Sequence, residues 1–318
     1  MKLRIDPWDP EYGASAEIDP ELEQPVGLDL TAEVEGIWEP IDTQPLGTLP
    51  CCAFVDGVRR IDARLFAEDG DAQAPALAGS WAVGSAWSTR PPRIDGVAVG
   101  RELVIGGGLV HPPLALGVGG QQLPFEPSAV PGSGPLDPLR GLQNAMREAE
   151  AKLAETILGG GGAELVVSDG PLNYFLQGPA VGMIKRQSRS YLDPARGAII
   201  AKLAPGQRTP IFKLGEQRLE RYSWYLRLAG QRPIDGAMSG VVRLEVAAVG
   251  GLDEAQRLAD LTSAALPRFA SQPGRDPRAP QNLYPVGALE DRLRHRLGDE
   301  HLIRRALEVH LYSEVQLA

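Results

Sequence analysis

Two apolar runs in this 318-residue chain stop at the same dipeptide: AFVDG at residues 53–57 and LVVSDG at 165–170. Each reads as a buried strand with a carboxylate at its end, Asp56 and Asp169. Between them, residues 138–158 place Leu142, Met146, Ala149, Leu153 and Ile157 on one face of a helix, which a run of glycines at 159–162 ends. Strand, helix and strand in that order allow the two strands to lie parallel as neighbours, with both aspartates at the carboxyl edge of one sheet. This pattern predicts an α/β protein with its site at that edge.

Carboxylates brought together repel at neutral pH, and a divalent cation relieves the repulsion. Oxygen-only ligation favours Mg²⁺ or Mn²⁺, and two such ions about 4 Å apart are able to hydrolyse a phosphodiester without a nucleophilic side chain. The helix offers Glu148, Glu150 and Glu155 as a third acid. At about 100° per residue, Glu150 falls about 60° from the centre of the apolar stripe, with Glu148 and Glu155 about 140° and 160° away. Glu150 is therefore the expected inward acid and Glu148 its alternative. Each Asp-Gly alone is a common turn, and helical glutamates mostly face water.

Around this kernel, residues 1–48 are rich in Asp, Glu and Pro without periodicity and read as an N-terminal extension, with Trp8, Tyr12 and Trp38 as anchors. Residues 51–55 form the first expected strand, stopping at Asp56-Gly57, and 59–66 the second, making a hairpin. Further strands are expected at 80–87, 96–105, 180–184, 198–202, 211–214, 221–228 and 240–246. Helices are expected at 253–266, 287–297 and 299–309. Residues 106–138, crowded with Gly and Pro, read as a long loop. The net charge of −9 disfavours a protein that coats nucleic acid, though a cleft can be locally basic. Adjacent Cys51 and Cys52 read as reduced strand residues. No signal peptide or membrane span is evident, and a cytoplasmic location is expected.

The chain resembles the NurA family of nucleases, which work with the hexameric HerA DNA translocase. The resemblance is carried by AFVDG, the Glu-bearing helix, VVSDGPL at 166–172, VGMIKR at 181–186, RYSWYLRL at 221–228, VVRLEV at 241–246 and the Tyr-Pro of NLYPVGALE. It implies residues 49–318 forming a nuclease domain with an RNase H-like core: a mixed central sheet, flanking helices and long Gly/Pro-rich insertions. It also implies a dimer and a divalent cation, typically manganese, with magnesium as the alternative. The implied activity is 5′–3′ exonuclease with a single-strand endonuclease option, in DNA end processing for recombination and repair. By this resemblance Asp56, Glu150 and Asp169 bind metal. His295 stands for the family's C-terminal histidine with Asp291 as rival, and Val58 replaces a serine common in the first motif. Lys185 is expected in catalysis and phosphate contact, Arg186 and Arg189 on the DNA backbone, and Tyr222 and Trp224 stacked on bases. His111 in the Gly/Pro loop reads as a surface residue rather than a ligand. A non-catalytic adaptor for the motor is the competing reading. A phosphotransferase is disfavoured because Val58-Arg59-Arg60 stands where a glycine-rich phosphate loop would.

Overall fold

Alternating small and apolar residues over long stretches let the first half of the chain fold back on itself as three extended strands. The computed structural model describes residues 1–6, 29–31, 35–172, 178–186, 190–215 and 220–317. Its strands are β1 (Lys2–Ile5), β2 (Asp29–Thr31), β3 (Cys52–Asp69), β4 (Ala72–Trp87), β5 (Arg93–Ile105), β6 (Leu114–Val118), β7 (Gln121–Ala129), β8 (Leu165–Asp169), β9 (Ala180–Ile184), β10 (Phe212–Gly215), β11 (Arg221–Arg227) and β12 (Val241–Ala247). Its helices are α1 (Asp137–Gly160), α2 (Pro194–Ile200), α3 (Gly251–Ala265), α4 (Tyr284–Arg296) and α5 (Glu300–Leu317). The strands join in the order β2-β10-β11-β12-β9-β8-β3-β4-β5-β7-β6, with β1 pairing β3. β3, β4 and β5 form an antiparallel meander, whereas β8 runs parallel to β3 and β9 parallel to β8. The protein is thus a mixed α/β fold on one large mixed sheet with flanking helices.

Both faces of the sheet are covered, which is why its central strands read as apolar runs. On one face Ala154 and Ile157 of α1 pack on Ala53, Val55 and Val166, while Leu139 and Leu142 pack on Ile61, Leu77 and Val104. On the other, Leu258 of α3 and Leu289 and Leu293 of α4 close over Phe54, Val167, Val181, Trp224 and Leu244. Each buried leucine of that layer contributes about 1.5–3 kcal/mol of transfer free energy. α5 caps a further cluster around Leu65, Leu103 and Phe125. Trp38 packs near Phe212, its indole donating to the Arg196 carbonyl at 3.2 Å. Trp8 and Tyr12 lie outside the described residues.

Three expectations are corrected. Asp56-Gly57 is no turn: β3 runs straight through it, and the hairpin to β4 closes at Gly70-Asp71, where Gly70 has φ 58°. Residues 106–138 are not element-free, since β6 and β7 form a hairpin closed by Gly119-Gly120 with φ 58° and 81°. Residues 198–202, read as a strand, fall at the end of α2. That helix starts at Pro194 behind Asp193, whose carboxylate accepts from the amides of Ala195 and Arg196 at 3.0 Å each.

Candidate metal centre

Val55 pairs with Ser168 in the parallel ladder of β3 and β8, so Asp56 and Asp169 come next, side by side. Strand alternation puts them on the face of Phe54 and Val167, the one that α4 covers. α4 buries Val286, Leu289 and Leu293 and, within the same stripe, Glu290, which is 4% exposed. Carboxylate oxygens of Asp56, Asp169 and Glu290 lie within 4.8 Å of one another. Among the described residues this is the cluster able to hold a metal ion.

Glu150 approaches from the opposite face. A Cβ on Gly57 would stand 2.5 Å from its Oε1 and 2.9 Å from Met146 Cγ, so the glycine after Asp56 is what lets this carboxylate close in. Glu150 is partly buried and Glu148 exposed, as helical geometry required. Glu150 is not among the three acids whose oxygens meet within 4.8 Å, but its charge reaches Asp56.

Negative charge here is under-compensated. Burial first, then the charge of Asp169, pushes the Asp56 carboxyl well above its usual range; Lys185 opposes, and Glu150 and Glu290 add to the rise. Burial and Asp169 push Glu150 up to about 8. For Glu290 burial would do the same, but Arg278, holding both oxygens at 2.7 and 2.6 Å, together with Arg294 at 3.0 Å, brings it below its ordinary value. Lys185, just past β9, donates to Asp169 Oδ2 and to Asn282 Oδ1, each at 2.6 Å. Asp56 Oδ1 accepts from the Gly57 amide at 2.8 Å, whereas its buried Oδ2 has no hydrogen-bond partner among the described residues. A buried carboxylate oxygen without a donor costs free energy unless something positive meets it. An all-oxygen donor set with this charge suits Mg²⁺ or Mn²⁺.

His295 and its rival Asp291 are both exposed on α4, and Asp291 pairs with Arg294 at 3.3 Å. His295 follows Glu290 by five residues, about 140° around the helix, and so points away from the cluster. The acid from this helix is Glu290, which sequence reasoning missed. Its signal was a glutamate inside the 286, 289, 293 apolar stripe, where an acid belongs only if it is paired or bound to a cation. Trp224 does not stack on bases: it is fully buried beneath α3 and α4, and Tyr222 packs partly buried against the same core. Arg186 is exposed next to Lys185. Arg189 lies outside the described residues. His111, expected at the surface, is instead buried, with Nδ1 2.8 Å from the Pro112 carbonyl.

Sheet order and acids together define a class: an α/β protein that gathers carboxylates from two parallel strands and a facing helix into one oxygen-lined site. The particular family follows from comparison with known proteins. The model of the NurA domain matches residues 132–286, which hold α1 with Glu150, β8 with Asp169 and Lys185, and this match supports a NurA-family protein. Asp56 and Glu290 lie outside the matched stretch. The domain points to a nuclease-type role in DNA processing. Comparison with curated proteins found no match. No helix among the described residues is long and apolar enough to cross a membrane.

Proposed function

We propose that this protein is a divalent-cation-dependent deoxyribonuclease that cleaves phosphodiesters at Asp56, Asp169 and Glu290 on an RNase H-like core. The observation that carries this reading is the convergence of three buried or half-buried carboxylates within 4.8 Å, one with an oxygen that meets no donor among the described residues. The core assignment is supported by the order β5-β4-β3-β8-β9, an antiparallel meander followed by a helix and two strands parallel to the first. Asp56, Asp169 and Glu290 would hold the cation, with Glu150 across Gly57 as a fourth carboxylate. When bound, Mn²⁺ or Mg²⁺ supplies a Lewis acid and an acidified water, one ion or two.

The chain's own residues do the rest. Asn282, fully buried and donating to Asp276 Oδ2 at 2.5 Å, fixes the carbonyl that orients Lys185. That ammonium then stands beside Asp169, where it neutralises a non-bridging oxygen of the scissile phosphate. The resemblance supplies the finer reading: 5′–3′ exonuclease action with a single-strand endonuclease option, a homodimer, and a HerA-type hexameric ATPase as partner. Purified protein should degrade linear DNA in Mn²⁺ but not in EDTA, and Asp56→Asn and Glu290→Gln should each abolish this in protein that circular dichroism shows to be folded. Cleavage that survives both substitutions rejects the site. An intact protein inactive both alone and with its motor is instead the adaptor.

A further inference from the structure

On the side of α4 away from Glu290, a cleft of about 1580 Å³ opens between this helix, the end of β4, the start of β5 and the segment 47–51. Tyr284, Ala288, Arg292 and Arg296, spaced by fours, give it one helical wall. Arg268 stands beside them, and Arg90 and Arg93 face them from the sheet side. Five guanidiniums therefore line one hollow of a chain whose net charge is −9. Arg93 lies over the Trp87 ring at 4.5 Å and 3.5 Å from Asp95. The other four make no ion pair among the described residues and are exposed. Glu164, the one acid among the described lining residues, is already engaged by the Cys51 amide at 2.7 Å. Like charges gathered without counter-charges raise the energy of the free protein, and a polyanion lowers it.

This cleft adjoins a hollow that one acid of the cluster, Glu290, helps to line. A second hollow of about 910 Å³ is lined by Glu290, Arg278 and Arg294 and shares Arg268, Tyr284 and Ala288 with the first. At the shared wall the Tyr284 ring, 56% exposed, rests on buried Phe269 with centroids 5.8 Å apart. An exposed aromatic face stacks on unpaired bases, because bases in a duplex already stack on one another.

We propose that the arginine cleft is a binding track for single-stranded nucleic acid, holding the phosphates of a strand whose next segment reaches the carboxylates. The inference rests on the nuclease reading for its direction but not for its binding test. Arg268, Arg292 and Arg296 are exposed and make no ion pair among the described residues, so their replacement by Gln leaves the fold intact.

Anisotropy of a fluorescein-labelled oligothymidylate in EDTA reads binding without cleavage. The triple variant Arg268→Gln/Arg292→Gln/Arg296→Gln should bind about tenfold more weakly or worse. Its log K against log salt slope should fall by about 2, three lost contacts at about 0.7 each on a single strand. Hydrolysis of thymidine 5′-(p-nitrophenyl phosphate) in Mn²⁺, a substrate too short to reach the cleft, should match wild type. Arg292→Glu alone provides a second variant and should weaken binding more than Arg292→Gln. Unchanged affinity and salt slope overturn the proposal. So does unchanged DNA binding with lost capture of a HerA-type ATPase, which would make the cleft a protein dock. A wild type that hydrolyses neither DNA nor the small ester, yet loses DNA affinity in the triple variant, rejects the nuclease reading and upholds the track.

Discussion

Two groups of buried charge sit on the same sheet, and they are built on opposite principles. On β11 and β12, Glu245 is fully buried and holds Arg221 at 3.0 Å, Arg243 at 2.6 Å and the Leu172 amide at 2.8 Å. Burial would raise its carboxyl, but the two guanidiniums and the amide bring it below its usual value. A few strands away Asp56 is equally buried, has acids for neighbours, and is raised. In the first cluster both oxygens of Glu245 meet donors. In the second, Lys185 holds Asp169 and Arg278 holds Glu290, but among the described residues no donor meets Asp56 Oδ2. The lesson is that burial of a carboxylate says little until its partners are counted: the satisfied one is architecture, and the unsatisfied one waits for a cation.

The largest effect should come from removing a ligand. Asp56→Asn is expected to lower Mn²⁺-dependent DNA cleavage by more than ~100-fold, since loss of mere outer-shell partners costs roughly 10–100-fold at metal sites. Because it also removes an under-compensated buried charge, its melting temperature without metal should not fall. Glu245→Gln is the mirror case. Leaving Arg221 and Arg243 buried without their carboxylate should cost about 3–5 kcal/mol in denaturant unfolding, with metal affinity per folded molecule unchanged. If the two variants behaved alike, the contrast between the clusters would be wrong.

Smaller effects sharpen it. Glu150 has an ordinary value of 4.5 and is pushed up to about 8. Between those values the folded, metal-free protein binds more protons than the unfolded chain, so its stability should decline as pH rises through that window. Metal takes the deprotonated acids, so the rise in melting temperature on adding Mn²⁺ should be greater at pH 8 than at pH 6, and Glu150→Gln should flatten the metal-free decline. A melting temperature without metal that climbs from pH 6 to 8 would count against this electrostatic picture. Gly57→Ala drives a methyl into Glu150 Oε1 and Met146, and should cost about 1–3 kcal/mol while weakening Mn²⁺ binding measured by calorimetry. His295→Ala, on the exposed side of α4, should change neither cleavage nor stability measurably.

Part of this was legible in the residues. The apolar runs before Asp56 and Asp169 announced buried strands, and the stripe of α1 singled out Glu150 over Glu148, because helical period and burial are local properties. Glu290 was harder. Its position in the α4 stripe was visible, yet a nearby histidine drew the assignment, and only packing of α4 over β3 and β8 distinguishes a glutamate that meets two aspartates from one paired at a surface. Gly57 misled in the other direction: Asp-Gly is a turn by local preference, but close approach of α1 selected glycine here for its missing side chain, and the strand continued. Trp224, placed beside arginines and tyrosines, looked like a stacking platform until both layers of the sheet were in place.

By itself the sequence determined the period of each main element, and with it an α/β chain carrying acids at strand ends. Tertiary structure alone decided which acids meet. That choice depends on the register of β3 against β8 and on the seating of a helix more than 100 residues away in sequence, where no local interaction specifies the neighbour. It likewise decided that arginines from α4, β5 and the segments beside them share one cleft. Charge and period are written residue by residue, whereas proximity is set by how apolar faces pack.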